Sequence, residues 1–416
     1  MQLKTILNSI EKHKSFVYGE ARWSASKTQK EIEIPIKPRR NSKPICSGCG
    51  KKRSGYDRLK VRRFEYVPLW AIPVFLVYAL RRVNCPECGV VVERVPWASG
   101  KCQMTDSYRL FLATWAKRLS WREVATIFNT SWDSVYRAIH WVVCWGLVYR
   151  KLESIEAIGV DEIQYRRGHK YLTLVYQLDE GKKRLLYVAK DRTEQSLHGF
   201  FDILSETTRK GIKFACTDML PAYLNVIKER ASSALNILDR FHIAKKFGEA
   251  IDKVRAEESR RLKRDGYEEV LKNSRWCLLK RKANLTEKQT VKLRELLQYN
   301  LKTIKAYLMR EDFNRFWTYS SGTWAKKFLR EWCARAGRSR IEPFQKLAKT
   351  LRKHEPLLLN WFESQALSSG VVEGFNNKAK LTMRKAYGFK EYETIQIALY
   401  HQLGKLPEPE STHRFC

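Results

Sequence analysis

Apolar positions change period several times along the chain, and each change marks a boundary between elements. Leu59, Val61, Val74, Leu76, Tyr78 and Leu80 alternate with polar neighbours, the period of β-strands. The run Tyr66 to Leu80 is nearly all apolar, but Pro68 and Pro73 interrupt it, which favours paired strands over a helix. From Thr105 to about Tyr149 the spacing becomes helical. A first helix follows the cap Thr105-Asp106 with Leu110, Phe111, Ala113, Thr114 and Trp115, and a second runs from Trp121 to Phe128. After Asn129-Thr130-Ser131 a third carries Val135, Ile139, Val142 and Val143. Two short helices, a polar turn and a longer third helix form a helix-turn-helix layout, with a plain three-helix bundle as the alternative.

Strand signals return at Ala157-Ile158-Gly159-Val160-Asp161-Glu162, an apolar run ending in carboxylates. Tyr171 to Leu178 and Arg184 to Ala189 follow, joined by a hairpin turn at Asp179-Glu180-Gly181. The spacing then predicts a helix over Thr193 to Thr208, a strand over Ile212 to Cys216, a helix over Ala222 to Glu229 and a strand over Ala234 to Leu238. Three antiparallel strands followed by alternating helix and strand is the order of a ribonuclease H-like sheet. From Ile243 to about Gln365 strand signals vanish, and residues 243–310 hold 19 Lys+Arg against 9 Asp+Glu. Ser369 to Leu403 is helical again, and the tail from Leu406, with Pro407 and Pro409, is expected to be flexible.

Charge alters this picture. The 416 residues carry 79 Lys+Arg and 44 Asp+Glu, a formal charge of +35, with 44% hydrophobic and 12% aromatic residues. That apolar content excludes disorder as the main state. The excess charge calls for a polyanion, with nucleic acid first and a merely basic, ribosome-associated protein as the bland alternative. No stretch of 18 apolar residues exists and Met1 to Ile10 lacks a signal-peptide core, so no membrane span or export is expected.

Ten cysteines in a chain of this kind point to reduced thiols and metal. Cys46-Ser47-Gly48-Cys49-Gly50 and Cys85-Pro86-Glu87-Cys88-Gly89 are two knuckles, each with a two-residue spacing that puts both thiolates on one side of a tight turn. Four thiolates suit a closed tetrahedral Zn²⁺ site, structural in role, although 35 residues between knuckles exceeds the usual ribbon spacing. Cys102, Cys144, Cys216, Cys277, Cys333 and Cys416 show no ligand spacing.

Asp161 and Asp218 each close an apolar strand, where neighbouring strand ends can bring them together. Asp239, after the last strand, is a rival for the second place. The helix opened by Ser369-Gly370-Val371-Val372-Glu373-Gly374-Phe375-Asn376-Asn377 aligns Glu373, Asn377, Lys380 and Arg384 on one face, as a metal ligand beside a phosphate track would require. A solvated amphipathic helix would show the same spacing.

With these blocks in order, the chain resembles a bacterial insertion-sequence transposase of the DDE class, of the group with an N-terminal zinc ribbon labelled ISL-three. The resemblance rests on Arg82-Val83-Asn84-Cys85-Pro86-Glu87-Cys88-Gly89, Ile158-Gly159-Val160-Asp161-Glu162, Thr217-Asp218-Met219, Asp239-Arg240-Phe241-His242, Val372-Glu373-Gly374-Phe375-Asn376-Asn377-Lys378 and Arg384-Lys385-Ala386-Tyr387-Gly388-Phe389. It implies a multidomain α+β/α fold. A zinc-ribbon domain would cover 1–100 and a helix-turn-helix 101–150. A ribonuclease H-like catalytic domain would occupy 151–242 and 366–405, split by a basic helical insertion at 243–365, with a tail at 406–416. The implied catalytic acids are Asp161, Asp218 and Glu373, holding two Mg²⁺ (or Mn²⁺) for strand cleavage and strand transfer. His242 could assist at the leaving group or simply pack. Trp132, Asp133, Tyr136 and Arg137 would meet the major groove, and Lys380 and Arg384 the phosphates. Partners would be the element's terminal inverted repeats and target DNA, bound by a homodimer or larger assembly in the bacterial cytoplasm near the nucleoid. Two rivals remain: a DNA-binding regulator with an inactive ribonuclease H-like domain, and a nuclease that hydrolyses without strand transfer.

Overall fold

A computed structural model describes residues 2–25, 30–238, 240–267, 269–364, 370–385, 389 and 391–410. The chain forms two compact units, Met1–Lys151 with Ala379–Cys416, and Leu152–Lys378.

The first unit opens with α1 (Leu3–Ile10) and a six-stranded sheet: β1 (Phe16–Tyr18), β2 (Arg22–Ala25), β3 (Lys30–Pro38), β4 (Ser54–Leu69), β5 (Ile72–Cys85) and β6 (Gly89–Val92). The path is β1-β3-β5-β4, with β2 on β3 and β6 on β5; only β3–β5 is parallel. The proline-interrupted run is indeed two strands. Leu69 pairs with Ile72 across Trp70 and Ala71, both at positive φ, the twist that a two-residue hairpin turn needs. Trp97 anchors the core of this sheet, with Phe16 edge-on at 4.9 Å and Tyr78 at 5.4 Å. Next come α2 (Asp106–Ala116), α3 (Trp121–Ile127) and α4 (Trp132–Tyr149). Each begins where a hydroxyl caps it: Thr105 for α2, Ser120 for α3 and Ser131 for α4, with Glu123 completing a capping box on α3. Val135, Ala138, Ile139, Val142, Val143 and Gly146 form the buried stripe of α4.

The second unit holds β7 (Ala157–Arg166), β8 (Lys170–Gln177), β9 (Arg184–Lys190), α5 (Glu194–Asp202), α6 (Glu206–Lys210), β10 (Phe214–Thr217), α7 (Pro221–Arg230) and β11 (Leu235–Leu238). The sheet order is β11-β10-β7-β8-β9. Strands β7, β8 and β9 are antiparallel neighbours, and β10 and β11 run parallel to β7. The single helix expected over Thr193 to Thr208 is two, because Ser205 caps a new start by accepting from the Thr208 N–H. Asp161 and Glu162 do not end their strand. Strand β7 runs on to Arg166 because β8 continues to pair with it beyond the end of β10. Ile158 and Val160 point into a core with Phe200, Phe201, Val226 and Ile227 of α5 and α7.

Beyond the sheet the chain is helical, as the loss of strand signals required: α8 (Arg240–Arg264), α9 (Arg275–Leu279), α10 (Glu287–Leu296), α11 (Lys302–Phe313), α12 (Gly322–Gly337), α13 (Glu342–Lys353) and α14 (Glu355–Glu363). Their core is centred on Phe247, Phe313, Trp332 and Phe344. Glu258, buried in α8, accepts from the backbone N–H groups of Lys302 and Thr303 at 3.0 and 2.7 Å, compensating the exposed donors at the start of α11. Asn360 of α14 donates to the Asn236 carbonyl of β11 at 2.7 Å, tying the helical block to the sheet. Helix α15 (Gly370–Lys385) follows, and the division between units falls within it. Finally α16 (Tyr392–Leu403) packs beside α4. Of the expected flexible tail, 411–416 lie outside the described residues, while Leu406 and Pro407 lie against Gly146 of α4. Among the described residues no helix is long and apolar enough to cross a membrane.

Candidate functional site

Strand register places two of the predicted acids near one another. Cys216 of β10 pairs with Gly159 of β7, so Asp218 and Asp161 each stand two residues further along neighbouring parallel strands. Asp218 Oδ1 accepts from the Leu220 N–H at 2.8 Å, in the turn leading into α7. Asp161 is buried at 7% exposure. Its Oδ1 accepts from the Glu162 N–H at 2.8 Å, and its Oδ2 accepts from Nδ2 of Asn376 at 2.5 Å. His242, near the start of α8, brings Nε2 to 3.8 Å from Asp161 Oδ1. The rival acid Asp239 lies outside the described residues.

Glu162 was passed over in the sequence, though it directly follows Asp161. Burial first, then the negative charges of Asp218 and Asp161, push its carboxyl up to about 7. The Arg192 guanidinium, 3.5 Å away, offsets part of that rise. A carboxyl raised first by burial and then by two neighbouring carboxylates shows negative charge gathered beside it.

Glu373 lies in the first turn of α15 and is exposed. That helix rests on the face of the sheet that carries Gly159, Asp161 and Tyr176. Val372 meets Gly159, Phe375 stacks on Tyr176 at 4.8 Å, and the Tyr176 hydroxyl donates to Asn376 Oδ1 at 2.9 Å. Burial, then the charge of Asp161, holds the Tyr176 phenol well above its usual range, so the hydroxyl keeps its proton. The three carboxylates of Asp161, Asp218 and Glu373 are not all within 4.8 Å of one another.

In the first unit Cys46, Cys49, Cys85 and Cys88 are gathered, their sulfurs all within 4.8 Å of one another. Gly50 and Gly89 each adopt φ +72°, the left-handed conformation that turns each knuckle back on itself. Cys49 and Cys85 stand 3.6 Å apart. This is too long for a disulfide of about 2.05 Å and close to the roughly 3.8 Å that two thiolates at about 2.3 Å from one tetrahedral ion would show. Burial alone would raise the Cys85 thiol, but the N–H groups of Glu87 and Cys88 and the Arg53 guanidinium bring it down to about 6. Cys102, Cys144, Cys216, Cys277 and Cys333 lie outside this group.

The residues expected in the major groove are engaged within their own unit. Trp132 and Tyr136 stack at 5.7 Å and 7°, both pack on Trp121, and Trp121 meets Phe389 at 4.8 Å. Arg137 is exposed and paired with Asp133 one turn earlier. Lys380 and Arg384 are exposed on α15.

Asp161, Glu162 and Asp218 thus gather their carboxylates at neighbouring strands of a mixed five-stranded sheet. The transposase family model DDE_Tnp_ISL3 matches residues 158–399, more than half of the chain, and the chain belongs to that family. It is a DNA transposase. It is 29% identical over 352 residues to the transposase for insertion sequence element IS1001 of Bordetella parapertussis, covering 84% of this chain and 86% of the relative. With the transposase for insertion sequence element IS1557 of Mycobacterium tuberculosis it shares 29% identity over 405 residues, covering 91% of this chain and 90% of the relative.

Proposed function

We propose that this transposase binds the terminal inverted repeats of its element, cleaves DNA strands there and joins the freed 3′ ends to target DNA. Asp161, Asp218 and Glu373 are its catalytic acids. The observation that carries the proposal is the register that sets Asp161, within β7, beside Asp218, just past the end of β10, with the Glu373 helix docked onto the same sheet through Asn376. The order β11-β10-β7-β8-β9 supports reading the sheet as ribonuclease H-like, with α8 to α14 as an insertion before the third acid.

Oxygen-only donors at a site of concentrated negative charge fit hard divalent cations, Mg²⁺ or Mn²⁺. When bound, such ions activate the attacking water or 3′-hydroxyl and stabilise the leaving oxygen. The chain's own part is positioning. Asp161 is fixed by hydrogen bonds to both of its oxygens, and Asp218 is fixed by the turn into α7. His242 stands beside Asp161, where an imidazole can hand a proton to a departing oxygen. The four thiolates fit a structural Zn²⁺.

The DNA-binding parts follow the same division: a zinc ribbon to about residue 100, then a helix-turn-helix to about residue 150 with α4 as recognition helix. Trp132 and Tyr136 stack on each other and pack against Trp121, which stiffens the start of α4, and with Asp133 and Arg137 they form the face that meets the major groove. Lys380 and Arg384 contact phosphates. Holding two element ends calls for a homodimer or larger assembly, at work on bacterial DNA in the cytoplasm.

Purified protein, Mg²⁺, a duplex ending in the inverted repeat that flanks the reading frame, and a supercoiled target plasmid form the test. Covalently joined donor–target products are expected. Hydrolysis without joining would make the protein a nuclease, and specific binding without cleavage would make it a regulator.

A further inference from the structure

We propose that Tyr176 and Asn376 are positioning residues: a two-step relay that aims the Asp161 carboxylate and locks the Glu373 helix onto the sheet that carries it. This rests on the reading of Asp161 as a metal-binding acid.

The relay's polarity is set by its donors and acceptors. An ionised carboxylate only accepts, so Asn376 must turn its NH₂ toward Asp161 Oδ2, at 2.5 Å. Its Oδ1 then faces Tyr176, and the phenol donates to it at 2.9 Å. With the hydroxyl in place the amide has one good orientation. Without it, a half-turn of the amide would set oxygen against oxygen at Asp161. The Tyr176 side chain is fully buried, Asn376 is 6% exposed, and the tyrosine ring lies on Phe375 at 4.8 Å and 19°, so neither group can swing away.

Two consequences meet at the site. The Glu162 N–H holds Asp161 Oδ1 as Asn376 holds Oδ2, so the protein orients both carboxylate oxygens. Asn376 also sits one helical turn after Glu373 on α15, so the bond that aims the first acid anchors the turn bearing the third. Groups that orient metal ligands in this way typically change metal affinity or activity about 10–100-fold when removed.

The full-length chain carrying Tyr176→Phe, Asn376→Leu or, separately, Asp161→Asn tests this. Mn²⁺ binding without DNA is followed by electron paramagnetic resonance. Single-turnover cleavage of inverted-repeat DNA is followed against Mg²⁺ concentration, and hydrogen exchange over residues 371–376 is followed in metal-free protein. Tyr176→Phe keeps the ring and its stacking. It is expected to melt and bind repeat DNA like the parent, to bind Mn²⁺ about 10–100-fold more weakly, and to recover cleavage at raised Mg²⁺. Faster exchange at 371–376 should accompany these changes. Asn376→Leu should behave alike; if it does not fold, Tyr176→Phe alone decides. Parental Mn²⁺ affinity and Mg²⁺ dependence in Tyr176→Phe would reduce the relay to ordinary packing. Parental affinity and cleavage in Asp161→Asn would instead overturn the role given to Asp161.

Discussion

A methyl group built on Gly159 would stand 2.6 Å from Val372 Cγ2 and 3.2 Å from Leu178 Cδ1. The close approach of α15 to β7 therefore depends on the missing side chain. Gly159→Ala is expected to cost about 1–3 kcal/mol, as overpacking does, and Val372→Ala in the same chain should restore much of it. A double-mutant cycle in urea measures that coupling; additive costs would mean that the helix does not seat there. Stability at low pH has its own residue. Burial first, then Lys117, brings His401 of α16 down to about 3, while the unfolded chain titrates near 6.5. Between those values the unfolded state binds more protons, so stability falls as pH drops from about 6.5 toward 3. The loss of urea resistance between pH 7.5 and 5 should shrink in His401→Leu, and an unchanged loss would assign it to other groups. Asp161 and Asp218 were legible in the sequence because each follows an apolar run. Asn376 was not: its amide acquires a role only when α15 lies across Tyr176, 200 residues earlier.

Elements were legible where period and punctuation agreed. Strands β7 to β11 and their helices stand close to where alternation and turn residues put them, since strands β7, β8 and β9 follow one another through tight turns. Strands β1 to β3 were missed. Strands β1 and β2 are only three and four residues long. Strand β3, in contrast, alternates Ile32, Ile34 and Ile36 with polar or proline positions, a strand signal that was there to be read. Only its parallel pairing with β5, some forty residues later, is beyond any local pattern. The cysteine knuckles were legible because spacing alone carries the chemistry. The four-cysteine cluster has a consequence: with Val83 of β5 and Val91 of β6 it forms the small core that holds the ends of those two strands. Zinc analysis should give one ion per chain with sulfur at about 2.3 Å. Chelation or Cys85→Ser should free amide exchange across β5 and β6 while leaving the sheet of the second unit protected. Gly48→Ala should weaken zinc binding as well, since its methyl would lie 2.8 Å from Cys88 Sγ. Retained protection in the metal-free protein would remove the metal from the account.

At the scale of the whole molecule, the charge of +35 sets how it meets DNA. Each phosphate neutralised releases counterion, so affinity for repeat DNA should fall steeply with salt. Lys380→Ala and Arg384→Ala are each expected to lower the slope of log K against log salt by about 1. An unchanged slope would take these side chains off the phosphate backbone. The central claim concerns the few acids within that cationic chain. Single-turnover cleavage of inverted-repeat DNA by Asp161→Asn, Asp218→Asn and Glu373→Gln, each compared with the parent at equal DNA occupancy, tests it most directly. Loss of cleavage in all three with DNA binding intact is the expected result; parental cleavage by any one of them would contradict the site.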